Sequence, residues 1–144
     1  MAMAADEYFE NQVLTASAER LHLMVVEGAL RFARLGLEAM DQQDFSTAHV
    51  ALDRSQKCVN ELLIGLKADV NPELVDKLKS LFVFIHHSLM LADFTHNSQQ
   101  IRDAIRIIEL HRETWLTLMS RLKSELVSSR GSDSDEPAVT SWLT

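Results

Sequence analysis

The sequence predicts an all-α protein folded as an antiparallel up-down four-helix bundle. Three observations carry that expectation. Hydrophobic residues make up 47% of the 144-residue chain while glycine and proline number only 4 and 2, a composition of long helices and few turns. Apolar positions recur three or four apart through most of the chain, and sustained period-two alternation is missing. The links between periodic segments are short, which makes successive helices antiparallel neighbours.

The first helix is expected from Ala18, behind Ser17 as N-cap, to the turn at residues 41 to 44. It carries two apolar rows. Leu21, Met24, Val25, Gly28, Phe32, Leu35 and Ala39 fall on one side, while Leu23, Val26, Leu30, Ala33, Leu37 and Met40 fall on the other. An ordinary surface helix has a single apolar stripe, so the second row predicts a partner surface or an unusually enclosed helix. The second helix opens at residues 44 to 46 and runs to about Ala68, with Leu52, Val59 and Leu62 on one face and Ala51, Cys58 and Gly65 as a shallow track of small side chains. The third starts at Asn71 as N-cap with Pro72 at the first position, and Val70 is placed to staple onto Val75. Its core stripe is Leu74, Leu78, Leu81, Ile85, Leu89 and Ala92. A surplus row of Val83, Met90 and Phe94 lies opposite, flanked by Phe84, His87 and Leu91. The fourth begins behind Asn97, with Gln100 at capping-box spacing, and extends to about Val127, its inner stripe widened by Ile107, Leu110 and Leu118. The bundle therefore occupies residues 17–127, between a lead segment at 1–16 and a tail at 128–144 whose composition predicts disorder apart from a Trp142-Leu143 tip.

A formal net charge of -7, with cations interleaved among acids, argues against a nucleic-acid partner. Arg102, Arg106, Glu109 and Glu113 read as a solvated ladder on one helix. Cys58 is alone, which excludes a disulfide framework, and neither a signal peptide nor a membrane-spanning run is visible. A cytoplasmic protein with no membrane insertion is expected. Glu19 and His22 have the Glu-x-x-His spacing of di-iron bundles, but both fall away from the expected inner stripe and lack matching ligands on the other helices. His86 and His87 point about 100° apart on a helix and cannot chelate together. Arg112 faces inward, toward Asp53, Glu61 or a wet rim. No catalytic, cofactor or metal site is expected, and the chain reads as a non-enzyme.

The run YFENQVLTASAERLHLMVVEGALRF, followed by DFSTAH, NPEL, L-F-x-F-I and RETW in order, resembles the flagellar secretion chaperone FliS family over roughly residues 7 to 120. Ala18, Val26, Ser88 and Asp93 depart from the residues usual in that family. The resemblance implies a bundle that binds the disordered C-terminal segment of flagellin, prevents premature polymerisation and hands the subunit to an export-gate component. It also implies that the lead segment, with Tyr8, Asn11, Gln12 and Val13, folds over the apolar groove and is displaced by the client. Val26, Leu30, Val83, His87, Met90, Phe94, Ile107 and Leu110 are the expected client surface. The alternative is a homodimer or larger homo-oligomer in which the surplus rows meet each other.

Overall fold

The computed structural model describes residues 17–67 and 71–130. Among them four helices run in order: α1 (Ala18–Asp41), α2 (Phe45–Ile64), α3 (Pro72–Thr95) and α4 (Ser98–Arg130). The expected N-caps Ser17 and Asn71 are in place, and Asp44 caps α2. Ser17 Oγ accepts the Arg20 N–H at 3.2 Å, Asp44 the Thr47 N–H at 3.2 Å, and Asn71 the Leu74 N–H at 3.2 Å, so each carboxylate, amide or hydroxyl satisfies one of the helix's orphan donors. Asn97 caps α4 by accepting from Gln99 and Gln100. The reciprocal bond of a capping box is not made, because the Asn97 N–H already donates to Ala92 at the end of α3, and Gln100 Oε1 is left buried without a partner. Two non-glycine residues take left-handed backbone to turn the chain, Gln43 at φ 60 and His96 at φ 55. The His96 ring stacks on Phe45 with centroids 3.8 Å apart, which ties the α3/α4 corner to the start of α2.

The helices pack in the cyclic order α1, α2, α3, α4, each against the next and α4 against α1. Val26, Ala29, Leu30 and Ala33 of α1 meet Leu52 and Val59 of α2, Phe82, Ile85 and Leu89 of α3, and Ile101, Ala104 and Ile108 of α4 in one core. The α1/α2 seam is the tightest. A Cβ on Gly36 would lie 2.6 Å from Leu52 Cδ2, and the buried Ser55 hydroxyl donates to the Ala29 carbonyl at 2.7 Å. No helix among the described residues is long and apolar enough to cross a membrane.

Of the two apolar rows of α1, the buried one is Leu23, Val26, Leu30, Ala33 and Met40. This corrects the expectation that Val26 and Leu30 belong to an outer surface: they are 1% and 5% exposed. Ala29, Ala33 and Gly36 lie along that side, and their small size lets α2 approach closely enough to seal it.

Candidate functional site

The other row of α1 is half-buried along most of its length, with Leu35 exposed and Ala39 in the core. Leu21, Met24, Val25, Gly28 and Phe32 form one wall of a cleft of about 670 Å³ whose other wall is Lys57, Cys58, Asn60 and Glu61 of α2. A shallower continuation of about 430 Å³ carries the same groove on past Leu35, Ala39, Val50 and Ala51. Gly28 and Cys58 make the floor; a Cβ on Gly28 would stand 3.3 Å from the sulfur. Ala51 and Cys58 of the small-residue track thus line a groove, whereas Gly65 lies at the exposed end of α2. Burial pushes the Cys58 thiol above its ordinary value, against an opposing pull from Arg31. Phe32 is flanked by cations, with the Arg31 and Arg54 guanidinium carbons 5.0 and 5.7 Å from its ring centre.

A second apolar surface lies on α3. Val83, Met90 and Phe94 of α3 are 47%, 44% and 85% exposed, and with His87 they follow one line along the side opposite Ile85, Leu89 and Ala92. The edge of α3 facing α2 is fixed by His49 Nδ1 at 2.6 Å from Asp93 Oδ2, so Asp93 is occupied as a hydrogen-bond acceptor. Leu110 of α4 is 63% exposed and Phe84 is also open, while Ile107 is half-buried against the core. Burial of such side chains is worth about 1.5–3 kcal/mol each, and monomers rarely leave contiguous rows of them wet.

A third feature had no signal in the sequence. His22 and His111 meet across α1 and α4 with their Nε2 atoms 2.9 Å apart, and His22 lies 4.0 Å from the Trp115 ring centre. His22 therefore points inward, which corrects its expected position: it follows the line of Val26, Ala29 and Ala33, the row that proved to be core. One ring must donate and the other accept, so the pair holds opposite tautomers and excludes a second proton. Burial holds His111 down to about 4, and burial together with the nearby His111 holds His22 to about 4. Trp115 closes the end of the bundle by donating its indole N–H to the Glu19 carbonyl at 3.0 Å. No group of three or more metal-ligating side chains exists among the described residues.

The cleft between α1 and α4, also about 670 Å³, is polar. Arg34 pairs with Glu109 at 3.0 Å, and Arg112 reaches Glu27 at 3.8 Å with its head partly in water. Arg112 is thus a rim residue whose partner is on α1 rather than Asp53 or Glu61. Leu30 is the covered floor of this cleft. Tyr8, Asn11, Gln12 and Val13, the Val70 staple and the Trp142-Leu143 tip lie outside the described residues.

The family model of the flagellar protein FliS matches residues 1–122. The chain belongs to the FliS family. Among curated relatives, the flagellar secretion chaperone FliS of Bacillus subtilis is 24% identical over 108 residues, covering 75% of this chain and 80% of the relative. FliS of Campylobacter jejuni is 26% identical over 113 residues, covering 78% and 88%. A solved structure described as a bacterial flagellar chaperone superposes with a TM-score of 0.68 at 16% identity, over 83% of this chain and 98% of that one, and so supports the shared fold. FliS proteins are secretion chaperones, not enzymes, and their role implies a flagellar client.

Proposed function

We propose that this chain is a cytoplasmic export chaperone whose client is the disordered C-terminal segment of flagellin, held along the α1/α2 cleft and the outer row of α3 and α4. The observation that supports this reading is the coexistence, in a FliS-family bundle, of a long apolar cleft and a separate exposed apolar row. Ordering a twenty-residue client costs roughly 20–40 kcal/mol at ~1–2 kcal/mol per residue. At about 25 cal/mol per Å², that requires on the order of a thousand Å² of apolar burial, which no single pocket supplies and two extended surfaces can. The small surplus left suits a client that must be released.

Within this reading Val83, His87, Met90, Phe94 and Leu110 contact the client directly, with Ile107 at the margin. The lead segment around Tyr8, Asn11, Gln12 and Val13 covers part of the groove until the client displaces it, and the loaded complex presents itself to an export-gate component. The test is titration of the chain with the C-terminal segment of the organism's own flagellin. Binding accompanied by a gain of helical circular dichroism is expected, and Met90→Asp with Phe94→Asp should abolish it without loss of helicity. Unchanged binding by that variant rejects the α3 assignment. A concentration-independent oligomer in light scattering would favour the homo-oligomer instead.

A further inference from the structure

Phe32 stands at the waist of the α1/α2 groove. Among the described residues it is the one side chain that lines both the cleft around Gly28 and Cys58 and its shallower continuation past Val50 and Ala51. Its half-buried ring carries two guanidinium groups, that of Arg31 from its own helix at 5.0 Å and that of Arg54 from α2 at 5.7 Å. Both arginines are exposed, and neither makes an ion pair among the described residues. Arg20, Lys67, Lys77, Lys79, Arg121 and Lys123 lack a carboxylate partner there as well, but none of them is held over an aromatic ring. Lys57, on the wall of the same cleft, is neutralised by Asp53 at 3.0 Å. The carboxylates that line the groove do not answer the two arginines: Glu27 turns to Arg112 and Asp44 caps α2. Glu38 and Glu61 sit roughly 9 and 10 Å along their helices from Phe32 and Arg54. The charge of Arg31 is felt inside the cleft, where it opposes the rise of the Cys58 thiol.

We propose that Arg31 and Arg54 receive a carboxylate set into the apolar face of the client helix, and that this contact fixes the register in which the client lies in the groove. The inference rests on reading the groove as a client surface and adds the chemistry by which it chooses a segment. Along α1 the groove runs from Leu21 to Ala39, roughly 27 Å, which matches about eighteen residues of helix. Apolar contact is non-directional, so a helix with one apolar stripe fills such a groove almost equally well when slid by a turn. A charge does not tolerate that slide. One turn carries it about 5 Å along the groove, away from both guanidinium groups. Phe32 lies about 17 Å from the Leu21 end and about 11 Å from the Ala39 end, so the carboxylate is expected near the middle of the bound segment with apolar anchors on either side. A client that covers the waist without an acid there strips water from two cations and returns no counter-charge. The waist therefore rejects a neutral or basic residue at that point as well as favouring an acidic one.

The test measures the affinity of the full chain for the C-terminal segment of the organism's own flagellin, native and with each Asp and Glu changed singly to Asn or Gln. Arg31→Gln/Arg54→Gln is expected to weaken binding of the native segment about tenfold while leaving the thermal transition in place, since both side chains are exposed. One of the amidated segments should show the same loss with the native chaperone and no further loss with the arginine variant, the coupling expected of direct partners. Arg121→Gln/Lys123→Gln removes the same charge from the far part of α4 and should stay within about twofold, which separates a local contact from the effect of net charge. The proposal is overturned by undiminished affinity of Arg31→Gln/Arg54→Gln, by an equal loss in Arg121→Gln/Lys123→Gln, or by a loss that no single amidated segment shares. In each of those results the native segment still binds, so the client reading survives. Failure of the native segment to bind the native chain removes that reading and this inference together.

Discussion

The two faces of α1 are nearly equal in apolar content and opposite in fate. Val26, Ala29, Leu30 and Ala33 are sealed in the core, whereas Leu21, Met24, Phe32 and Leu35 line a groove. What separates them is the neighbours they meet rather than hydrophobicity. The inner row faces α2, α3 and α4 together, with Gly36 close against Leu52 and the Ser55 hydroxyl bonded to the Ala29 carbonyl, whereas the outer row has α2 on one side only. A chaperone bundle needs both properties in one helix, since the scaffold must not melt when its client leaves.

The largest expected contrast comes from placing a charge on each face. Val26→Asp buries an unpaired carboxylate and should eliminate the cooperative thermal transition, a loss of more than ~4 kcal/mol. Met24→Asp should keep the transition within about 1 kcal/mol of the native chain and weaken client binding instead; equal melting of the two variants would erase the distinction.

Acid acts on the inward face through His22 and His111. The folded-state values of His22 and His111, about 4, lie below the ordinary 6.5, so the unfolded chain binds more protons between those values. Stability attributed to the neutral pair is therefore complete above about pH 6.5 and is lost as pH falls toward 4. Each tenfold loss of proton affinity on folding corresponds to about 1.4 kcal/mol, so the effect is on the order of a few kcal/mol. Chemical denaturation from pH 7 to 4 should show it, and His22→Leu/His111→Leu should flatten the curve. A slope retained in the double variant would place the sensitivity elsewhere.

Glycine replacements give a smaller and signed comparison. Gly36→Ala should cost ~1–3 kcal/mol, because Leu52 is fully buried and cannot yield to a Cβ 2.6 Å from its methyl. Gly28→Ala meets only Cys58 Sγ at 3.3 Å, on a half-buried side chain that can shift, and should gain up to ~1 kcal/mol from helix propensity. Denaturation midpoints of the same sign for both would contradict the packing account. Smallest is Gln43→Gly, away from either face, which relieves a left-handed residue and should add about 1 kcal/mol or less.

Local chemistry was legible in advance where the signal is local. Ser17, Asn71 and Asn97 cap the helices because each capping bond spans two or three residues, within the reach of a sequence motif. Gln100 shows the limit: its spacing fits a capping box, but the donor it would need is taken by Ala92 of the preceding helix. Val83, Met90 and Phe94 could be placed outside because Leu81, Ile85 and Leu89 offer an unambiguous alternative for the core.

Four helices in order, the caps at Ser17, Asn71 and Asn97, the surplus apolar surface and a resemblance to FliS are readable from composition, motif order and an angular period along one chain. Which row of α1 is core, that His22 meets His111 and that Arg112 meets Glu27 emerge from packing alone. A period reports the angle at which a side chain leaves its own helix. Which neighbour waits at that angle, and how near, is set by the packing of residues distant in the chain, among them Gly36 against Leu52.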